Sequence, residues 1–179
     1  MKKPALTSLV ICTILMMTFE KGNGQIYANS EVSASAMLSI VIVVPIAARE
    51  TSSLNFGRFF PGSSGGSITI SPNGFVMTTS GVVITASAPS AGCFTVSGQG
   101  DATYAINLPN GPVILTNSDG TKTMEVAGWI TDPENGDAHV RLAGGSQTVM
   151  LGATLRVGSI EENPKGIYTG SYEITFGYN

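Results

Sequence analysis

The chain has 179 residues, 42% of them hydrophobic and 12% charged, and a formal net charge of −3. That length suits one domain with a sizeable core, and the apolar content is too high for a disordered chain. So few cations on an acidic chain give no electrostatic case for binding nucleic acid or anionic lipid.

The chain opens with Lys2 and Lys3, then a largely apolar, uncharged run over residues 5–19 and a polar, glycine-containing stretch over 20–24. This is the layout of a secretory signal peptide, with Gly22 and Gly24 as the small residues before the cut. The run is short for a membrane-spanning helix, which needs about 20 residues. Residues 1–24 are therefore expected to be removed, and the chain is expected to be secreted, passing through the periplasm to the cell surface or beyond. Loss of Lys2, Lys3, Lys21 and Glu20 leaves six basic and eleven acidic residues, net −5. Cys12 leaves with the signal, so Cys93 stands alone and no internal disulfide can form. Cys93, beside Phe94 in an alternating run, is read as a buried, inert thiol.

Val32, Ala34, Ala36, Leu38, Ile40, Ile42, Val44 and Ile46 are apolar at every second position. Period two over this length specifies β-strand. Roughly 15 residues at about 3.3 Å each would span about 50 Å, well beyond an ordinary strand. Ser33, Ser35 and Ser39 make the first half one-sided, whereas both faces are apolar over residues 40–44. The stretch reads as two strands in series: an arm over residues 25–39, with its strand at 31–39, and the first strand of a domain at 40–48. A single long strand bent over its own domain is the alternative. The domain is expected over residues 40–179.

Short strand-like runs follow, separated by turn signals. They cover residues 54–60, 67–71, 81–86, 92–97, 102–108, 113–116, 121–130, 138–143, 147–157 and 168–178. Pro72-Asn73-Gly74, Pro109-Asn110-Gly111 and Asn117-Ser118-Asp119-Gly120 are the clearest turns, the last reading as a hairpin. Trp129, the only tryptophan, is placed in the core. No helical periodicity runs clear of Gly or Pro. The expected fold is all-β, an antiparallel sandwich, with a closed barrel as the alternative.

No constellation makes a case for catalysis. Gly62-Ser63-Ser64-Gly65-Gly66 matches Gly-x-Ser-x-Gly, but a nucleophile elbow needs a strand before it, a helix after it, and an acid and a histidine to follow. Between two strands and beside Pro61 it reads as a flexible turn. His139 is the only histidine, and with Cys93 it cannot supply a zinc site. Asp132, Glu134 and Asp137 miss the calcium-loop spacing, and Glu161-Glu162 reads as a solvated face. No catalytic residue, cofactor or metal is expected.

The tail, residues 166–179, places Tyr168, Tyr172, Ile174, Phe176 and Tyr178 on one face, with Gly170 as a gap among them. With Leu54-Asn55-Phe56-Gly57, Ile68-Thr69-Ile70-Ser71-Pro72, Tyr104-Ala105-Ile106-Asn107-Leu108-Pro109, Leu151-Gly152-Ala153-Thr154-Leu155 and Tyr168-Thr169-Gly170-Ser171-Tyr172, the chain resembles domain-of-unknown-function family 4402, a group of secreted bacterial domains. The likeness covers residues 34–179. Such domains resemble pilin-like proteins, including spore-coat-U-type subunits of the archaic chaperone–usher pathway. The tail is similar to chaperone–usher subunits more broadly, with Tyr178 penultimate and Gly166 fourteenth from the end. The absence of a second mature cysteine departs from many archaic subunits.

The resemblance implies an immunoglobulin-like sandwich lacking one strand, filled by the N-terminal arm of a neighbouring subunit. It makes Val32, Ala34, Ala36 and Leu38 the donor residues, worth about 5 kcal/mol of burial. It makes Gly166, Tyr168, Tyr172, Ile174, Phe176 and Tyr178 the partner-binding C-terminal strand. The implied partners are copies of the chain or related subunits, a periplasmic chaperone and an outer-membrane usher. The alternative is a monomeric sandwich completed by its own arm and acting in adhesion or ligand binding.

Overall fold

The computed structural model describes residues 35–79, 81–85, 88–134 and 140–179. The expected signal peptide, the donor residues Val32 and Ala34, and Asp137 and His139 lie outside them. Residues 41–179 form one compact unit. Its strands are β1 (Ala47–Ser52), β2 (Phe59–Pro61), β3 (Gly66–Ile70), β4 (Val76–Thr78), β5 (Val82–Ile84), β6 (Gly92–Ser97), β7 (Tyr104–Asn107), β8 (Val113–Asn117), β9 (Thr123–Asp132), β10 (Ser146–Val157), β11 (Tyr168–Thr169) and β12 (Thr175–Tyr178). A single 3₁₀ turn, Ala143–Gly145, is the only helical element among the described residues.

All pairings between these strands are antiparallel. The large sheet runs β1-β6-β10-β9-β8-β11, and β3 joins it on β10 with β4 beside it. The pairs β7–β12 and β2–β5 form the opposite layer, so the fold is the expected all-β, sandwich-like one. The long strand β10 organises it. Its first half pairs with β6 and its second half with β3 along one edge, while β9 runs along the other. The change of partner falls at Gly152, where a Cβ would meet the Ile70 carbonyl and, at 2.9 Å, the Pro72 nitrogen. Only a residue without a side chain lets β3 leave the sheet there.

Two clusters fill the interior. Ile68, Ile70, Met124, Val126, Ala153, Leu155 and Val157 form the first, with Val82 and Ile84 of β5 and Phe59 of β2 packed on it. Phe94, Val96, Tyr104, Ile106, Val140, Leu142, Val149 and Leu151 form the second, under Ile46, Tyr172, Ile174, Phe176 and Tyr178. Trp129 is half-buried and touches both clusters. Period-two alternation explains both clusters: Phe94 and Val96 point inward from β6, and Cys93 and Thr95 do not. Cys93 is therefore half-buried on the outer side rather than buried, and its carbonyl accepts a bond from the Thr51 hydroxyl at 3.1 Å.

The expected hairpin at Asn117 forms between β8 and β9. The Asn117 side chain is buried, and its Oδ1 accepts from the Thr121 and Lys122 amides at 2.9 and 3.1 Å. Nearby, Asn163 accepts from the Gly158 amide at 2.6 Å and donates to the Thr123 carbonyl at 2.8 Å, tying the loop after β10 to β9.

Three further expectations are corrected. The first domain strand is Ala47–Ser52, not 40–48, and residues 41–46 carry no ladder. The stretch over 138–143 makes no strand in its described part, only an isolated bridge between Arg141 and Thr103. The tail is two strands, β11 and β12, that belong to different sheets.

Candidate functional site

The split tail is the first part of the site. Tyr168 and Thr169 pair with Asn117 and Thr116 at the edge of the large sheet, and Thr175–Tyr178 pair with β7 in the other layer. The crossing falls at Gly170, where a Cβ would lie 2.6 Å from the Ile114 carbonyl and 2.8 Å from Leu115 Cδ2. Residues 170–174 carry no ladder, because extending the β12 register beyond Thr175↔Asn107 brings the tail toward Pro109, which has no N–H to give. Tyr168 packs on the first cluster, and its hydroxyl donates to the Pro164 carbonyl at 3.0 Å. Tyr172, Ile174, Phe176 and Tyr178 pack on the second cluster but stay only half-buried. Gly166 is exposed, just before β11.

The second part is β1. Among the described residues β1 pairs on one edge only, with β6, and β12 on one edge only, with β7. All six β1 residues are exposed. Charged Arg49 and Glu50 and a register shift between Glu50 and Ser52 are features of an edge strand.

These two edges belong to the same side of the sandwich. The Tyr178 hydroxyl donates to the Val44 carbonyl at 2.7 Å, just before β1. Glu50, in the middle of β1, acts on Tyr172: burial and then the Glu50 charge push the Tyr172 hydroxyl up to about 12. Phe94, the ladder partner of Glu50, meets Phe176 at 5.9 Å between ring centroids. The tail and β1 therefore run past each other in opposite directions, and no ladder joins them. The Tyr172 hydroxyl is buried there without a hydrogen-bond partner, although its ring stacks on Trp129 at 5.2 Å.

The third part is the apolar stretch over residues 41–44 before β1, within the same compact unit, and the chain before it is apolar too. Met37 and Leu38 are fully exposed, and Ile40, Val41 and Ile42 are each more than 80% exposed. Val43 and Val44 are about half exposed. Of the expected donor residues, Ala36 and Leu38 are described; both are exposed and outside any ladder. Residues 40–44, expected within the first strand of the domain, are exposed and outside any ladder instead. Sequence periodicity marks them as strand-forming but does not tell an exposed strand from a buried one.

Other residues singled out in the sequence have local roles. Gly62 to Gly66 join β2 to β3 as a turn, with the Gly62 amide donating to the Gly81 carbonyl at 2.5 Å. Glu162 accepts from the Ser159 amide at 2.8 Å, and that bond holds its carboxyl below its ordinary range. Asp132 and Glu134 are exposed at the end of β9. Among the described residues, no helix is long and apolar enough to cross a membrane.

A family described as "Domain of unknown function (DUF4402)" matches residues 46–178. No curated protein and no solved structure matches the chain.

Proposed function

The chain belongs to the DUF4402 family, and from that premise we propose that it is a secreted, non-enzymatic structural subunit of a bacterial surface fibre or coat, joined to its neighbours by strand exchange. The observation that carries the reading is a mismatch within one chain. Among the described residues, a strand-length apolar run is exposed, and β1 and β12 each pair on one edge only, flanking a half-buried apolar cluster. Uncovered runs of this kind mark interaction sites. A strand laid between β1 and the tail would pair its main chain with open edges and cover Tyr172, Ile174 and Phe176.

Burying Leu38, Ile40 and Ile42 would contribute about 5–9 kcal/mol before the costs of association. Val32, Ala34 and Ala36 are smaller and would extend the same face. Head-to-tail use of one edge is a heterologous contact, which grows an open fibre rather than a closed dimer. An open edge during export is an aggregation hazard, so a periplasmic chaperone and an outer-membrane usher are the partners this reading calls for.

Deleting residues 25–43 tests it. The shortened domain is expected to unfold cooperatively but stay at monomer mass in light scattering. Undiminished association after the deletion would overturn the reading.

A further inference from the structure

Strand exchange requires that a chain not fill its own gap, and the inference here rests on that reading. The link between the apolar run and β1 is Val44-Pro45-Ile46. For its own run to lie beside β1, the chain must reverse there as a hairpin. A two-residue hairpin turn needs positive φ at its first position, and the Pro45 ring fixes φ near −65°. A three-residue turn needs its first residue in the right-handed helical region and its last in the left-handed one. Pro45 disfavours the former at Val44, and a β-branched side chain disfavours the latter at Ile46. A type I turn centred on Pro45 and Ile46 is sterically allowed, but it splays the strands it joins. Immediately upstream, residues 40–44 contain no Gly, Asn, Asp, Ser or Pro on which to build a turn.

The structure also holds this link open. The Val44 N–H donates to Gln99 Oε1 at 3.3 Å, and its carbonyl accepts from the Tyr178 hydroxyl at 2.7 Å. That hydroxyl in turn accepts from the Gln99 N–H at 2.5 Å, in a seat that a Cβ on Gly98 would fill. Ile46 is half-buried on the second cluster. Asp101 is the one non-glycine residue with positive φ among the described residues, so neither Val44 nor Ile46 is left-handed, and residues 44–46 carry no turn.

We infer that residues 44–46 are a non-reversing junction, latched by Tyr178 and Gln99, that denies the run its own edge. The occupant of the gap is then residues 37–43 of a second copy of this chain.

The test replaces the junction with a turn. Pro45→Asn with Ile46→Gly installs an Asn-Gly hairpin signal, and Ile46→Gly alone loses the same packing while keeping Pro45. A tethered strand acts at millimolar effective concentration, so the double variant should associate about tenfold less than the parent, or weaker still. Its amides at 37–43 should be protected from exchange at monomer mass, and the single variant should associate like the parent. A double variant that associates like the parent overturns the junction and leaves strand exchange standing. So does a single variant that also becomes monomeric, since lost packing then explains the effect. A parent chain that is monomeric with residues 37–43 protected overturns the inference too, because the strand is its own. A monomeric parent with those amides unprotected instead removes the strand-exchange reading on which the inference depends.

Discussion

The two halves of the interior are built from the same long strand, yet one is closed and the other open. Around Ile68, Val126 and Leu155, the strands β3, β10 and β9 lie side by side, and β2–β5 caps them. Around Phe94, Val96 and Leu151 the large-sheet floor is equally well buried, and among the described residues the lid on the opposite side is made by β7–β12 with Val140 and Leu142 beside β7. There the lid residues Tyr172, Ile174, Phe176 and Tyr178 remain half exposed. The closed half has the means to carry the stability of the isolated domain, and under the strand-exchange proposal the open half is where association takes place. Substitutions should separate the two properties.

The largest effect on folding is expected in the closed half. Leu155→Ala should lower unfolding free energy by about 2–5 kcal/mol, measured by denaturant titration. Phe176→Ala, in the open half, should cost about 2 kcal/mol, because the ring is half-buried before any partner arrives. It should nevertheless weaken association far more than Leu155→Ala does when the two are compared at equal folded fraction. Equal effects on association would erase the distinction.

Gly170→Ala sharpens the comparison at the point where the tail crosses between layers. The added methyl would meet the Ile114 carbonyl at 2.6 Å, so the crossing must shift, at about 1–3 kcal/mol. Thermal unfolding should detect the loss, with an accompanying loss of association as β12 moves.

Tyr178→Phe is expected to be milder, about 0.5–1.5 kcal/mol, since it removes one hydroxyl from the Val44 and Gln99 backbone. Phe keeps the ring on the second cluster, so the change isolates the latch from the packing.

The smallest effect is a pH dependence. Burial, then Glu50, raises Tyr172 to about 12, and burial also raises Tyr104. An unfolded tyrosine titrates near 10. The folded chain therefore keeps a proton that the unfolded chain releases, and stability is full below about pH 10 and falls as pH climbs toward 12. Tyr172→Phe should flatten part of that decline. It should cost little at neutral pH, since the hydroxyl it removes has no partner.

Much of the fold was legible in alternation. Ile68 and Ile70, Phe94 and Val96, and Leu151, Ala153 and Leu155 each mark an inward face, and their strands lie within a residue or two of where period two places them. β1 was not legible, because Ala47–Ser52 is exposed along its whole length and is held by main-chain pairing, which leaves no apolar signature. The tail reads as one strand because Tyr168 and Tyr172 keep parity across Gly170, although the backbone changes sheets between them. β4 was missed because Val76–Thr78 is too short to show a period. The site was half legible: the tail face stands out, and so does the apolar run. Its boundary did not, because a strand that covers its own core and one that waits for another chain have the same pattern. Pro45 was the available signal, since it separates residues 37–44 from β1.

Amide hydrogen exchange over residues 37–43, followed from low to high protein concentration alongside the mass in solution, tests the central claim most directly. The account predicts fast exchange at monomer mass and strong protection that appears only as the mass rises. Protection at monomer mass, or associated chains whose residues 37–43 still exchange freely, would contradict it.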